Sequence, residues 1–220
     1  MLFSPSLACA NPLALGRDVD ALIDNGIEII HFDIMDGHYV HNFALSPDLL
    51  KTFVAAYPKL TIDVHMMVTN PLNYIDVLAN AGADWITFHQ QTDDSIPEII
   101  KAIHSKGLKA GIALSPDESI DSITPYLPLV DLVLFMGIRP GIAGRPLLEG
   151  SFERIAELDR LRRENNWPYL ICIDGGVNDQ VAAQLESVGI DIMVLGYLSV
   201  FGQPDGISGA LGRLRKVLKG

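Results

Sequence analysis

Cysteine is scarce in this sequence, and the two that are present, Cys9 and Cys172, lie far apart along the chain. They form no C-x-x-C motif and no disulfide framework, which predicts free thiols in a reducing compartment. Long apolar runs are also absent, since none reaches the roughly 18 residues that a membrane-spanning helix needs. Asn11-Pro12 interrupts the apolar start and no positive charge precedes Arg17, so we predict no signal peptide. These absences predict a soluble, cytoplasmic protein with no membrane partner.

Basic residues are outnumbered by acidic ones. The chain has 16 Lys and Arg against 27 Asp and Glu, which gives a formal net charge of −11 at pH 7. No basic run offsets this charge, which repels polyanions and argues against nucleic acid as a partner. Hydrophobic residues make up 49% of the 220 residues, which is enough for one sizeable core, and no interdomain linker is visible. We therefore predict one domain over residues 1–220.

Short apolar segments alternate with amphipathic segments along the whole chain. Each apolar segment is at most eight residues long and most are rich in Ile, Val and Leu, as is typical of buried parallel strands. The predicted strands are Leu2–Leu7, Ile27–Ile34, Leu60–Met67, Trp85–His89, Ala110–Leu114, Leu132–Met136, Leu170–Asp174 and Ile192–Gly196. Eight strands alternating with eight helices predict an α/β fold, a single (β/α)8 TIM barrel. The alternative is an open, doubly wound parallel sheet.

Three glycines mark a weak internal repeat. Gly26, Gly82 and Gly189 each follow a helical pattern and stand one to three residues before a predicted strand. Glycine commonly ends a helix in the left-handed conformation. We therefore predict that these three glycines end helices in this way.

Polar residues stand at the carboxyl ends of the predicted strands, the edge at which barrel enzymes place their active sites. They are Ser6, His31, Asp33, His65, His89 and Asp174. Residues two apart on a strand share a face, so Asp33 lies beside Met35 and His65 beside Met67. Two imidazoles and two carboxylates at one barrel mouth suit Zn²⁺, Fe²⁺, Mn²⁺ or Co²⁺ and do not choose among them. The alternative is a set of buried polar groups that hydrogen bonds alone satisfy.

Glycines are concentrated after the last three predicted strands. Pro140-Gly141-Ile142-Ala143-Gly144 follows the sixth strand, Gly175-Gly176 follows the seventh, and Gly196 ends the eighth. Glycine lets backbone N–H groups approach an anion closely, and barrel phosphate sites commonly form after strands seven and eight. This placement predicts a phosphate site, although glycines that serve only the turns are the alternative.

Five segments resemble motifs of the ribulose-phosphate 3-epimerase family. They are His31-Phe32-Asp33-Ile34-Met35-Asp36-Gly37-His38, Asp63-Val64-His65-Met66-Met67-Val68, Ile173-Asp174-Gly175-Gly176-Val177, Ser4-Pro5-Ser6-Leu7 and Arg139-Pro140-Gly141-Ile142-Ala143-Gly144. The resemblance runs in order from Ser4 to Phe201, nearly the whole chain. It implies an isomerase that epimerises a ketose phosphate at C3, such as D-ribulose 5-phosphate to D-xylulose 5-phosphate. The alternatives are a hexulose 6-phosphate substrate such as D-allulose 6-phosphate, or a sugar-phosphate-binding protein without catalysis.

The resemblance also implies a role for each motif residue. One divalent metal ion would bind His31, Asp33, His65 and Asp174, and the two aspartates would exchange protons with opposite faces of C3. The residues implied to contact the sugar phosphate are Ser6, Met35, His65, Met67, Met136, Gly141, Ile142, Ala143, Gly144, Gly175, Gly176, Gly196 and Tyr197. A homo-oligomer is implied as well.

Two departures from the family pattern concern the phosphate. Tyr197 follows Gly196, where the family usually has a small residue, often a serine that helps to hold the phosphate. Arg139 and Arg145 occupy loop positions that are more often neutral or acidic. We hypothesise that one of these arginines compensates with a charge-assisted hydrogen bond, although both would also suit a solvated loop.

A related group of barrels that decarboxylate or condense sugar phosphates carries a D-x-K-x-x-D strand motif. The corresponding segment here is His31–Asp36, which contains no lysine. This difference argues against that chemistry.

Overall fold

The computed structural model describes residues 1–218, so the last two residues of the predicted domain lie outside the described residues. In it, eight parallel strands form one sheet. The strands are β1 (Leu2–Pro5), β2 (Ile29–Met35), β3 (Thr61–Met67), β4 (Trp85–His89), β5 (Lys109–Leu114), β6 (Leu132–Met136), β7 (Leu170–Asp174) and β8 (Ile192–Leu195). Neighbouring strands pair in the order β1-β8-β7-β6-β5-β4-β3-β2, and a bridge between Ser6 and His31 brings β1 beside β2. The predicted barrel is confirmed, and the strand bounds differ from the prediction by no more than two residues.

Helices follow most strands and cover the outside of the barrel. They are α1 (Leu15–Asp24), α2 (Pro47–Ala56), α3 (Leu72–Ala81), α4 (Ile96–Ser105), α5 (Ser151–Asn165), α6 (Ala182–Ser187) and α7 (Gly206–Val217). The prediction of eight α-helices is wrong between β5 and β6, where Ile120–Ser122 and Thr124–Leu129 form 3-10 turns. Pro125 and Pro128 lie in the second turn, and proline supplies no N–H for an α-helical hydrogen bond.

The three repeat glycines adopt the predicted conformation. Gly26, Gly82 and Gly189 have φ values of 71°, 101° and 105°, and a strand begins three residues after each of them. Residues with a side chain seldom adopt this conformation, so the glycines stop the helices and turn the chain into the barrel.

The inside of the barrel is divided into a polar side and an apolar side. Buried polar residues cluster on and just after β1 to β4, and they are Ser4, Ser6, His31, Asp33, Asp63, His65, Thr87 and His89. An apolar cluster lies on β5 to β8, and it contains Ala113, Leu132, Leu134, Met136, Cys172, Ile192 and Val194. Asp174, at the end of β7, meets the polar side across the barrel mouth, where it approaches His65 to 3.7 Å. Groups that can transfer protons or bind a metal are therefore concentrated at one place.

The structure also bears on the predictions about the cysteines and about membrane-spanning helices. Cys9 and Cys172 are free thiols, as predicted, with Cys172 buried and Cys9 partly exposed. Among residues 1–218, no helix has the length and apolar character needed to cross a membrane.

Candidate active site

Four ionisable side chains meet at the carboxyl end of the barrel. His31 and Asp33 come from β2, His65 from β3 and Asp174 from the end of β7. One nitrogen or oxygen atom of each residue lies within 4.8 Å of those of the other three. Both imidazoles and Asp33 are buried, whereas the Asp174 side chain is 20% exposed. The structure therefore brings together the four residues that the sequence predicts as a metal site.

The spacing of these atoms fits one small cation. Asp33 Oδ1 lies 3.2 Å from His65 Nδ1 and 3.5 Å from His31 Nε2, and the two imidazole nitrogens are 3.4 Å apart. Asp174 Oδ2 lies 3.7 Å from His65 Nδ1. Ligands about 2.1 Å from a tetrahedral ion lie about 3.4 Å from one another. The set of two nitrogens and two oxygens suits a divalent ion of borderline hardness.

On each imidazole, the ring nitrogen that faces away from the cluster contacts a buried side chain. His31 Nδ1 lies 2.8 Å from Asp63 Oδ2, and His65 Nε2 lies 2.8 Å from His89 Nε2. His31 therefore turns Nε2 toward the cluster, whereas His65 turns Nδ1 toward it. The sequence prediction did not include Asp63 in the site. The signal for it was its position two residues before His65 on the same face of β3.

The two carboxyl groups of the cluster have unlike environments. Burial raises the pKa of Asp33, but the charges and hydrogen bonds of His31 and His65 outweigh burial and lower this pKa well below its usual range. For Asp174, burial is only partly offset by His31, and the charge of Asp33 adds to it, so its pKa is raised. Burial lowers the pKa of His31, but Asp33 and Asp63 outweigh it and raise this pKa well above the usual value. Asp33 is therefore the anionic member of the pair, and Asp174 is the one that more readily keeps a proton.

A cavity of about 330 Å³ opens above these carboxyl groups. Its lining includes Asp33 and Asp174 and every residue predicted to contact the sugar phosphate except His65, which lies buried beneath it. These lining residues are Ser6, Met35, Met67, Met136, Gly141, Ile142, Ala143, Gly144, Gly175, Gly176, Gly196 and Tyr197. The Ser6 hydroxyl donates a hydrogen bond to Asp33 Oδ2 at 2.5 Å, which fixes the orientation of that carboxylate.

The glycine-rich loops after β6, β7 and β8 all reach this cavity. Gly175 and Gly176 have φ values of 95° and 79°. A Cβ atom at Gly176 would lie 2.5 Å from the backbone of Leu147, so the loop after β7 packs directly on the loop after β6. This contact requires glycine at position 176 and brings two glycine-rich backbones together.

Tyr197 and the two arginines take different positions around the cavity. Tyr197 is 55% exposed, and its ring lies close to Gly202, the residue that follows the π-helical turn Tyr197–Phe201. Arg139 lines the cavity and pairs with Asp117 on the loop after β5, at 3.0 Å. Arg145 is exposed and is not part of the lining. Of the two arginines, Arg139 is therefore the one that belongs to the cavity lining.

The segment after β2, residues 36–46, forms one rim of the cavity. Asp36 anchors it by accepting hydrogen bonds from the backbone N–H groups of His38, Tyr39 and Thr69, each at 2.8 Å. Asn42 donates to the Gly141 carbonyl at 3.2 Å, which joins this rim to the loop after β6. The prediction did not include this rim in the site.

Comparison with known proteins identifies relatives of the whole chain. Residues 2–201 match the model of the ribulose-phosphate 3 epimerase family. Ribulose-phosphate 3-epimerase of Aquifex aeolicus is 34% identical over 204 residues, which cover 93% of this chain and 91% of the relative. The same enzyme of Bacillus subtilis is 34% identical over 203 residues, covering 92% of this chain and 93% of the relative.

Solved structures with low sequence identity share the fold. The 3-hexulose-6-phosphate synthase of Salmonella typhimurium superposes with a TM-score of 0.78 at 17% identity, covering 100% of this chain and 99% of that one. The 3-keto-L-gulonate-6-phosphate decarboxylase of Vibrio cholerae gives 0.74 at 15% identity, covering 100% and 97%. At these identities the likeness concerns the barrel alone, so the family assignment depends on the family model and on the two ribulose-phosphate 3-epimerases. The chain belongs to the ribulose-phosphate 3-epimerase family, and it is an isomerase of the epimerase kind.

Proposed function

We propose that this protein epimerises D-ribulose 5-phosphate to D-xylulose 5-phosphate with the help of one divalent metal ion. The observation that carries the proposal is the pair Asp33 and Asp174, which come from β2 and β7 and reach the same cavity. Relatives that match nearly the whole chain are named ribulose-phosphate 3-epimerases, which supports the choice of substrate.

Inversion at C3 of a ketose needs one group that removes a proton and another that returns a proton on the opposite face. Asp33 is the anionic carboxylate and serves as the base, and Ser6 holds it in place. Asp174 keeps its proton more readily and serves as the acid, and in the reverse direction the two residues exchange roles. Removal of the proton forms an enediolate, whose negative charge lies on the C2 oxygen.

His31 Nε2, Asp33 Oδ1, His65 Nδ1 and Asp174 Oδ2 are the atoms that would hold the metal ion. A bound dication stabilises negative charge on a substrate oxygen as a Lewis acid, which makes a C–H proton beside a carbonyl easier to remove. Zn²⁺, Fe²⁺, Mn²⁺ and Co²⁺ all suit this donor set. Asp33 and Asp174 would each offer one carboxyl oxygen to the ion. The second carboxyl oxygen of each residue would remain for proton transfer.

The remaining lining residues bind and shield the substrate. Met35, Met67 and Met136 provide apolar, polarizable surface beside the two carboxyl groups and exclude water from the intermediate. The glycine-rich loops after β6, β7 and β8 offer backbone N–H groups to the phosphate at the other end of the cavity. Arg139 adds a positive charge on the same side.

The test is proton NMR in D₂O with metal-loaded enzyme and D-ribulose 5-phosphate, followed by D-allulose 6-phosphate. We expect deuterium at C3 of the product and faster conversion of the pentulose. Faster conversion of the hexulose would assign the chain to the other substrate class. Binding of both sugars without any exchange would contradict the epimerase proposal and indicate a sugar-phosphate sensor. Light scattering of the same sample tests the homo-oligomer that the family resemblance implies.

A further inference from the structure

His89, at the end of β4, is fully buried and does not line the cavity. Its Nε2 atom lies 2.8 Å from Nε2 of His65, and its Nδ1 atom lies 3.3 Å from the Ser115 hydroxyl. The Tyr39 ring lies against the imidazole of His89, with ring centroids 4.8 Å apart. Because His89 is absent from the cavity lining, it influences a bound substrate only through its neighbours, of which His65 is the one that belongs to the metal cluster.

The short distance between the two imidazoles indicates that they share one proton in a hydrogen bond. A hydrogen bond between two ring nitrogens needs one proton between them, so one ring donates and the other accepts. If His65 holds the metal through the lone pair of Nδ1, its proton lies on Nε2. His65 then donates to His89, and His89 carries its own proton on Nδ1 and donates that proton to Ser115.

We propose that His89 is a positioning residue that holds His65 in the Nε2–H tautomer and so directs the Nδ1 lone pair of His65 toward the metal. This inference rests on the proposed metal site. It concerns a residue that neither touches the substrate nor binds the metal.

The residues that contact the outer nitrogens of His31 and His65 differ in charge. His31 lies against the carboxyl group of Asp63, whereas His65 lies against the imidazole of His89, which is uncharged when its Nε2 atom accepts a hydrogen bond. Three carboxyl groups, those of Asp33, Asp63 and Asp174, already lie close together here. A neutral acceptor behind His65 fixes its tautomer without adding another buried negative charge, which would be costly.

Two substitutions separate hydrogen bonding from packing. In His89→Gln, the amide oxygen can take the place of Nε2 and accept from His65. In His89→Leu, the space is filled but the buried N–H of His65 loses its acceptor. The control is His104→Leu, because His104 is a partly exposed residue of α4 that pairs with Asp131, away from the cluster.

Affinity for Co²⁺ alone, measured by competition with a chelator, is the main readout and needs no turnover. We expect His89→Leu to weaken binding by about 10–100-fold, the usual effect of removing a partner of a metal-binding imidazole. His89→Gln should bind nearly as tightly as the wild type, and His104→Leu should be unchanged. Equal affinity of His89→Leu and the wild type would overturn the proposal.

The wild-type protein provides a second test that holds even if His89→Leu does not fold. Long-range ¹H–¹⁵N NMR of the Zn²⁺-loaded protein reports the proton position on each histidine ring. We expect the proton of His65 on Nε2 and that of His89 on Nδ1, whereas a proton on Nε2 of His89 would overturn the assignment. A wild-type protein that binds no metal would overturn the proposed function as well, whereas metal binding with unexpected tautomers would overturn the role of His89 alone.

Discussion

Asp33 and Asp174 show how residues of one type acquire different properties from their surroundings. Asp33 is buried between the Ser6 hydroxyl and two imidazoles, and its pKa is lowered. Asp174 stands at the edge of the cavity, and burial together with the neighbouring carboxylate raises its pKa. Two acids of equal intrinsic strength thus hold a proton with different affinity, as the proposed base and acid roles require.

Replacing one of these carboxyl groups should separate proton removal from C3 from proton return to C3. Asp174→Asn cannot deliver a proton, so we expect kcat for epimerisation to fall by about 10²–10⁴-fold at saturating metal concentration. Asp33 can still remove the C3 proton from the face that it serves. In D₂O, one epimer should therefore exchange its C3 proton without becoming the other epimer.

The corresponding Asp33→Asn variant provides the matched comparison and should favour exchange in the opposite epimer. Both variants must bind metal for the test to apply, which a Co²⁺ titration establishes. Full epimerisation by either variant would contradict the two-carboxylate mechanism.

Arg139 supplies the prediction that concerns the phosphate. It lines the cavity while it pairs with Asp117, so part of its charge is already neutralised. We expect Arg139→Ala to raise KM about tenfold with little change in kcat, which corresponds to about 1.4 kcal/mol of binding free energy. Arg145→Ala is the control and should leave KM unchanged, because Arg145 is not part of the lining. An unchanged KM in Arg139→Ala would show that the glycine loops bind the phosphate without this arginine.

The sequence indicates which residues belong near the site but not how they contact one another. His31 and His65 appear equivalent in the motifs, yet one faces the cluster with Nε2 and the other with Nδ1. That difference arises from Asp63 and His89, which lie on neighbouring strands of the folded barrel. Pairings between strands depend on register and side-chain packing, which a single sequence does not specify.

At the scale of elements, the segment after β2 connects the site to the rest of the barrel. Asp36 accepts hydrogen bonds from the Thr69 backbone N–H and hydroxyl, so it ties this segment to the loop after β3. Burial is the largest single influence on the pKa of Asp36 and raises it, but the hydrogen bonds from Thr69, Tyr39 and His38 together outweigh burial and lower this pKa. The anchored segment then places Asn42 at the cavity rim.

Asp36→Asn should weaken this anchor. Both carboxylate oxygens of Asp36 accept from backbone N–H groups, and in the variant one of them is replaced by an NH₂ group, which cannot accept. We expect a loss of about 1–3 kcal/mol in the free energy of unfolding and a higher KM. Since folding lowers the pKa of Asp36, its contribution is present above the ordinary value of 3.8 and is lost as pH falls through the lowered value. Chemical denaturation at several pH values should show the two proteins converging in acid. Asp24→Asn, at an exposed position of α1, is the control, and equal stability of Asp36→Asn and the wild type at pH 7 would contradict the role of the anchor.

The elements themselves were largely predictable, because buried parallel strands consist of short apolar runs and helix-ending glycines mark the turns. Gly26, Gly82 and Gly189 illustrate the second signal, since each needs the left-handed conformation. The segment before β6 was not predicted correctly. Its apolar residues suit a helix, but Pro125 and Pro128 leave only 3-10 turns there.

At the scale of the whole molecule, the barrel collects negative charge on one side of its interior. Asp33 and Asp63 lie on β2 and β3, and Asp174 approaches them from β7, in a protein with a formal net charge of −11. The histidines offset part of this charge. A dication at the same place would offset more of it and would link β7 to the consecutive strands β2 and β3.

Metal binding should therefore stabilise the whole barrel. A ligand that binds only the folded state at 100 times its Kd adds about 2.7 kcal/mol to the free energy of unfolding. For a protein of this size, Tm rises by about 2–4 °C for each kcal/mol, so we expect Tm to rise by about 5–10 °C with Zn²⁺ or Co²⁺ and to fall again with a chelator. His65→Gln removes one ligand and should lose most of the shift, whereas His104→Leu should keep it. An ion bound at the cluster would connect residues of β2, β3 and β7. A Tm that does not respond to metal would therefore contradict the metal site and would mean that the four side chains are held by their own hydrogen bonds alone.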